Sequence, residues 1–180
     1  SGLATAWSRS RSKNARDIAV DEQGGTILTG VFSKTINLGG QDLVPKGAAD
    51  AYIVRYSSTG THSWSTSFGG SAAVQASHIS VDRYGAISVL GEFSKGSMTI
   101  GADLLENLAP QTELFVAHLD AQGAPLWGRT FGSRGTSEDA LDLTLGPGGV
   151  IVPLVALDGG FMVDSTPVCG FGAAIARFAP

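Results

Sequence analysis

Asp17, His78 and Asp142 each stand immediately before an apolar alternation, in Arg16-Asp-Ile-Ala-Val20, Ser77-His-Ile-Ser-Val81 and Leu141-Asp-Leu-Thr-Leu145. Three residues earlier lie Asn14, Gln75 and Asp139, each followed by an alanine. Two carboxylates and an imidazole that converge can hold a cation, a water cluster or a polar ligand through charge-assisted hydrogen bonds. Carboxylates on separate elements can also reach the separations used in glycoside hydrolysis. A short polar side chain entering a strand has a plainer use, satisfying the backbone of its own turn. These six residues are the candidate ligand-binding set, and the pattern assigns none of them a catalytic role.

Other chemistry has no pattern to stand on. His62, His78 and His118 do not share metal-ligand spacing, no Gly-x-Ser-x-Gly elbow occurs, and the Gly69, Gly148 and Gly159 doublets lack the Lys-Ser/Thr of a phosphate loop. The single Cys169 cannot form an internal disulfide and sits among apolar neighbours, as a small buried thiol does. No metal or cofactor is expected. Twelve basic and 16 acidic residues give a net charge of −4 with no run of like charges, which argues against a phosphate-tracking surface and so against a nucleic-acid partner. No 18-residue apolar run is present, so membrane insertion by a helix is not expected.

What must position the six polar residues is an internal repeat. Ile18-Ala-Val-Asp-Glu-Gln-Gly24 matches Ile79-Ser-Val-Asp-Arg-Tyr-Gly85 at an offset of 61 residues, and a more degenerate copy begins at Leu143. Trp7, Trp64 and Trp127 recur, the last two leading into Phe68-Gly69-Gly70 and Phe131-Gly132-Ser133. Ala51-Tyr-Ile-Val-Arg-Tyr56 aligns with Leu114-Phe-Val-Ala-His-Leu119 and with Ala173-Ala-Ile-Ala-Arg-Phe178. In the second copy the strands are expected at roughly 62–68, 78–82, 86–93 and 114–120, with helices absent or minor. Asp82-Arg-Tyr-Gly85 and Asp120-Ala-Gln-Gly123 read as hairpin turns, because the carboxylate spacing of a calcium loop is missing. The tryptophans are expected as wedges between neighbouring repeats rather than as sugar platforms, and Tyr84 as an exposed contact at a turn tip.

A four-stranded unit of about 60 residues fits an all-β fold of β-propeller blades, in which each sheet is covered on both faces by its neighbours. The repeats run roughly 4–60, 61–123 and 124–180 within one segment, the N-terminal strand completing another blade. The order Trp-x-x-x-Phe-Gly-Gly, Ile-x-Val-Asp-x-x-Gly, Phe-Ser-Lys and Asp50-Ala-Tyr-Ile-Val-Arg-Tyr-Ser-Ser-Thr-Gly60 resembles the bacterial β-propeller repeat called SBBP. The third copy departs from it, with Gly146 in place of the turn aspartate and Pro153 inside the second strand. The resemblance implies a bacterial extracellular or cell-surface setting and no transferable catalytic motif.

Propellers use 4–8 blades, so three repeats call for completion. Either a second copy forms a homodimeric six-bladed ring, with the opening strand 4–10 pairing with a closing strand, or further blades come from another chain or a longer polypeptide. The function expected is a non-catalytic binding or scaffold module recognising a protein, glycan or surface component, through the long connections 34–50 and 94–113 or the channel mouth. An enzyme, hydrolase or lyase, with a polar site at that mouth and a structural segment of a surface assembly are the alternatives.

Overall fold

Apolar alternations separated by Asp-x-x-Gly turns fold as antiparallel strands throughout the computed structural model, which describes residues 14–131, 138–145, 150–158, 161–163, 166–168 and 171–175. No helix occurs among them, so the chain is all-β. Trp7, Cys169 and the opening strand expected at 4–10 lie outside the described residues.

Three antiparallel sheets dominate. The first contains β1 (Ala15–Val20), β2 (Thr26–Phe32), β5 (Asp50–Tyr56) and β6 (His62–Gly70), side by side in that order. The second contains β7 (Val74–Val81), β8 (Ile87–Phe93), β11 (Glu113–Leu119) and β12 (Pro125–Phe131), again in chain order. The third holds β13 (Glu138–Leu145), β14 (Ile151–Asp158) and β17 (Phe171–Ile175). Among the described residues these sheets form no closed ring. The strand bearing Trp64, expected at the head of the second repeat, is β6, which hydrogen-bonds to β5 and closes the first sheet.

The turns are built as their residue types dictate. Asp82 accepts from the N–H groups of Tyr84 and Ala86 at 2.8 and 2.9 Å, and Gly85 adopts φ +87°. Asp21 and Asp120 repeat this arrangement with Gly24 and Gly123. The carboxylate satisfies two turn donors while glycine supplies the positive φ.

The long connections, expected as loops, carry hairpins. Residues 34–50 contain β3 (Ile36–Asn37) and β4 (Asp42–Leu43), and 94–113 contain β9 (Gly96–Ile100) and β10 (Asp103–Asn107). A short pair, β15 (Phe161–Val163) and β16 (Thr166–Val168), occupies the corresponding place in the third repeat. The β9–β10 hairpin hydrogen-bonds to the outer strand of the first sheet, Gly69 pairing with Thr99 and Gly70 with Met98. Asp103 then accepts from Gly128 N–H at 2.9 Å and Arg129 at 3.2 Å on β12. The hairpin thus clamps two sheets at their outer edges.

Two cores lie between the sheets. One joins Ile27, Ile53 and Phe68 of the first sheet to Ile79, Val89 and Phe115 of the second, with Met98, Ile100 and Leu105 from the hairpin. The other joins Leu90, Leu114 and Val116 of the second sheet to Leu143, Ile151 and Val155 of the third. The second sheet is therefore buried on both faces, as its near-continuous apolar strands require. A third cluster, Phe32, Leu38, Tyr52, Val54 and Tyr56, lies on the opposite face of the first sheet under β3 and β4. Trp64 packs against the first core with its ring over Gly123, where a Cβ would collide with it, so it fills the space between the first sheet and a turn of the second.

Candidate functional site

Asp17, His78 and Asp142 sit at one recurring irregularity. The first strand of each of the three main sheets carries a β-bulge, between Ala15 and Asp17, between Ala76 and His78, and between Ala140 and Asp142. The extra residues are Arg16, Ser77 and Leu141, different types in each copy, so sequence comparison passes over them. A bulge leaves one residue unpaired and re-aims the next side chain. Gly30 and Gly91 lie opposite; a Cβ there would collide with the carbonyl oxygens of Asn14 and Gln75 and with the rings of Tyr52 and Phe115. Glycine is needed because the bulged strand and the aromatic side chain both approach it closely.

The re-aimed side chains reach the neighbouring sheet. Asp17 Oδ1 accepts from its neighbour Ile18 N–H at 2.7 Å, and Oδ2 accepts from Ile79 N–H on β7 at 2.9 Å. His78 Nε2 lies 3.1 Å from the carbonyl oxygen of Ala140 on β13, which can only accept, so Nε2 carries the proton. His78 Nδ1 stands 3.9 Å from Asp17 Oδ2, beyond hydrogen-bond length. Asp142 Oδ1 accepts from Leu143 N–H at 2.7 Å, and Asp142 is exposed. The first two residues thus link consecutive sheets, a use broader than the own-turn role expected of them.

The other three candidates are less united. Gln75 donates to Glu92, its partner across the β7–β8 ladder, and accepts from Arg16 at 3.3 Å, so it too bridges two sheets. Asn14 is exposed and its carbonyl accepts from Val31 N–H at 3.2 Å. Asp139 is exposed on β13, opposite Ala156. A cleft of about 240 Å³ opens beside Gln75 and Glu92, with Val31, Val74 and Phe93 as apolar walls. Among the described residues no cluster of three or more His, Cys, Asp or Glu could hold a metal ion, and no helix is long and apolar enough to cross a membrane.

A second polar locus lies at the opposite strand ends and was missed by the sequence reading. Arg55 Nη2 pairs with buried Asp21 Oδ2 at 2.7 Å, and Arg55 Nε donates to the same oxygen at 2.8 Å. Both residues line a cleft of about 180 Å³ with Gln23 and Gln122. In the next repeat His118 replaces Arg55. It is buried, lies 3.0 Å from Ser88 Oγ through Nδ1, and stacks on Trp127 with ring centroids 5.5 Å apart. Burial lowers its pKa, against opposing contributions from Asp82 and the backbone at Ile87. The register Asp21/Arg55 against Asp82/His118 was readable in the sequence. That Ser88 would be wholly buried beside the imidazole was not, and its burial withholds the hydroxyl from any substrate.

No protein-family model matches the chain, and no curated protein matches it.

Proposed function

We propose that this chain is a non-catalytic binding module, an arc of β-propeller blades that presents a rigid apolar hairpin to a protein partner. The observation that carries the reading is the β9–β10 hairpin. Its Met98, Ile100 and Leu105 are buried, while Leu104 on β10 and Leu108 just past its end are 60% and 82% exposed. The hairpin is tied to β6 through the ladder at Met98 and Thr99 and to β12 through Asp103 beside its turn. Exposed leucines on a pre-ordered element lose little conformational freedom when a partner covers them, and their chemistry suits an apolar protein surface better than a sugar. The resemblance of the repeat supports an extracellular or cell-surface setting. Spending Asp17 and His78 on sheet-to-sheet links supports a scaffold rather than an acid–base pair.

The test is capture of the labelled chain on protein and glycan arrays, alongside turnover of chromogenic glycosides and esters. Binding to protein spots that Leu104→Ser/Leu108→Ser removes is the expected result. Turnover that is lost in Asp17→Asn or His78→Asn would overturn the reading and establish an enzyme.

A further inference from the structure

The two ends of the three-sheet stack are unfinished copies of its interior junctions, and they complement each other. In the second sheet, Ile79, Val89, Phe115 and Ala117 face the first sheet and are buried. Their register equivalents on the first sheet are Ile18, Leu28, Tyr52 and Val54, which share one face through the pairings Ile18 to Leu28 and Leu28 to Val54. Nothing among the described residues covers the inner part of that face as the first sheet covers Ile79, and Ile18 and Val20 are 58% and 63% exposed, whereas Ile79 is 5% exposed. At the other end, Leu154 is the equivalent of Leu90, each lying opposite the polar residue of the bulge, Asp142 and His78 respectively. Leu90 is fully buried between two sheets and Leu154 is only half-buried.

The polar groups match as well. At the junction following a carboxylate, Asp17 Oδ2 takes the N–H of Ile79. Ile18 is the equivalent of Ile79; no carboxylate of another sheet reaches it among the described residues, and its N–H donates to its own Asp17. Asp142 is the equivalent of Asp17, and its one hydrogen bond among the described residues uses Oδ1, leaving Oδ2 directed to no partner there. One end offers an apolar face with an N–H, and the other an apolar face with an acceptor.

We propose that a second copy of this chain docks head to tail, the Leu154 and Asp142 face of each copy seated on the Ile18 and Val20 face of the other, so that two chains close on themselves. This rests on reading the sheets as successive blades. Both junctions are heterologous and identical, and closure satisfies every such face. Asp142 Oδ2 then accepts from Ile18 N–H of the second copy, as Asp17 does from Ile79.

Sedimentation and light scattering of the chain at micromolar concentration test the proposal. The expected mass is twice the 18.4 kDa of one chain. Ile18→Asp and Leu154→Lys should each give single chains with retained β-sheet circular dichroism, weakening association by at least about 100-fold, or roughly 2.7 kcal/mol. Mixing the two variants should restore the pair, because one junction is then wild type and the other joins Asp to Lys. Val20→Asp replaces Ile18→Asp if that variant fails to fold. A single-chain mass at all concentrations overturns the proposal and leaves capture through the hairpin untouched. A ladder of larger masses, or two folded variants that do not recombine, overturns it equally. If Ile79→Asp folded as well as the wild type, the blade reading itself would fall.

Discussion

Ile18 and Ile79 occupy the same register position of two sheets folded from the same repeat, yet one is 58% and the other 5% exposed. The strands, the bulges and the Asp-x-x-Gly turns that hold them are alike. What differs is the neighbour, because the second sheet lies between two others, whereas among the described residues the first packs against a full sheet on one face and only the short β3–β4 hairpin on part of the other. Burial in this chain belongs to the junction rather than to the repeat. The corners extend the lesson, since equal register positions hold a buried ion pair, Asp21 with Arg55, in one sheet and a neutral stack, His118 on Trp127, in the next.

The largest expected effect breaks the comparison at its centre. Ile79→Ala should lower unfolding stability by about 2–5 kcal/mol through the cavity it leaves, while Ile18→Ala in the single-chain form of the protein should cost under about 1 kcal/mol. Urea denaturation of the two variants reads the difference. Equal losses would mean that the two faces are equally covered.

At the corners, Asp21→Ala should cost roughly 3 kcal/mol, because it strips a partly buried guanidinium of its partner and two turn N–H groups of their acceptor. Asp82→Ala at the equivalent turn should cost about 1 kcal/mol, the ordinary effect of losing a half-buried turn acceptor that holds no ion pair among the described residues. Thermal melts of both variants order them.

The smallest effect concerns His118. Its folded pKa lies below the ordinary 6.5, so the unfolded chain binds the proton more readily. Its contribution to stability is complete above pH 6.5, falls as the pH drops below that value, and is fully lost once the pH passes the lower folded pKa. Denaturation midpoints should therefore decline across this interval, and His118→Gln should flatten that part of the profile.

Much of this was legible in the sequence, for identifiable reasons. Turn aspartates and glycines mark strand ends by local chemistry alone, and β8 and β11 lie within a residue of where they were expected. The first strand β7 began earlier than expected because the bulge after Ala76 lets pairing continue through Gln75 to Val74. The β9–β10 hairpin is harder to see because the two connections differ in length, although Thr35-Ile36 and Asp42-Leu43 of the first repeat recur as Thr99-Ile100 and Asp103-Leu104, and Gly101 between Ser-Met-Thr-Ile and Asp-Leu-Leu-Glu carries a hairpin's signature. Register equivalence grouped Asp17, His78 and Asp142 correctly. It could not reveal that Asp17 would accept from Ile79 or His78 donate to Ala140, since those partners are about one repeat away and are set by how sheets stack. The same limit applies to Ile18, whose residue type is that of a core position and whose exposure depends on what lies beyond the first sheet.

Hydrogen exchange of the peptides covering β1 and β7, followed by mass spectrometry at high and low protein concentration, weighs the difference between an inner and an outer junction most directly. At high concentration β1 should approach the protection of β7 and on dilution lose it, while β7 stays unchanged. A β1 that exchanges at one rate whatever the concentration would contradict the claim that its open face is a junction awaiting its counterpart.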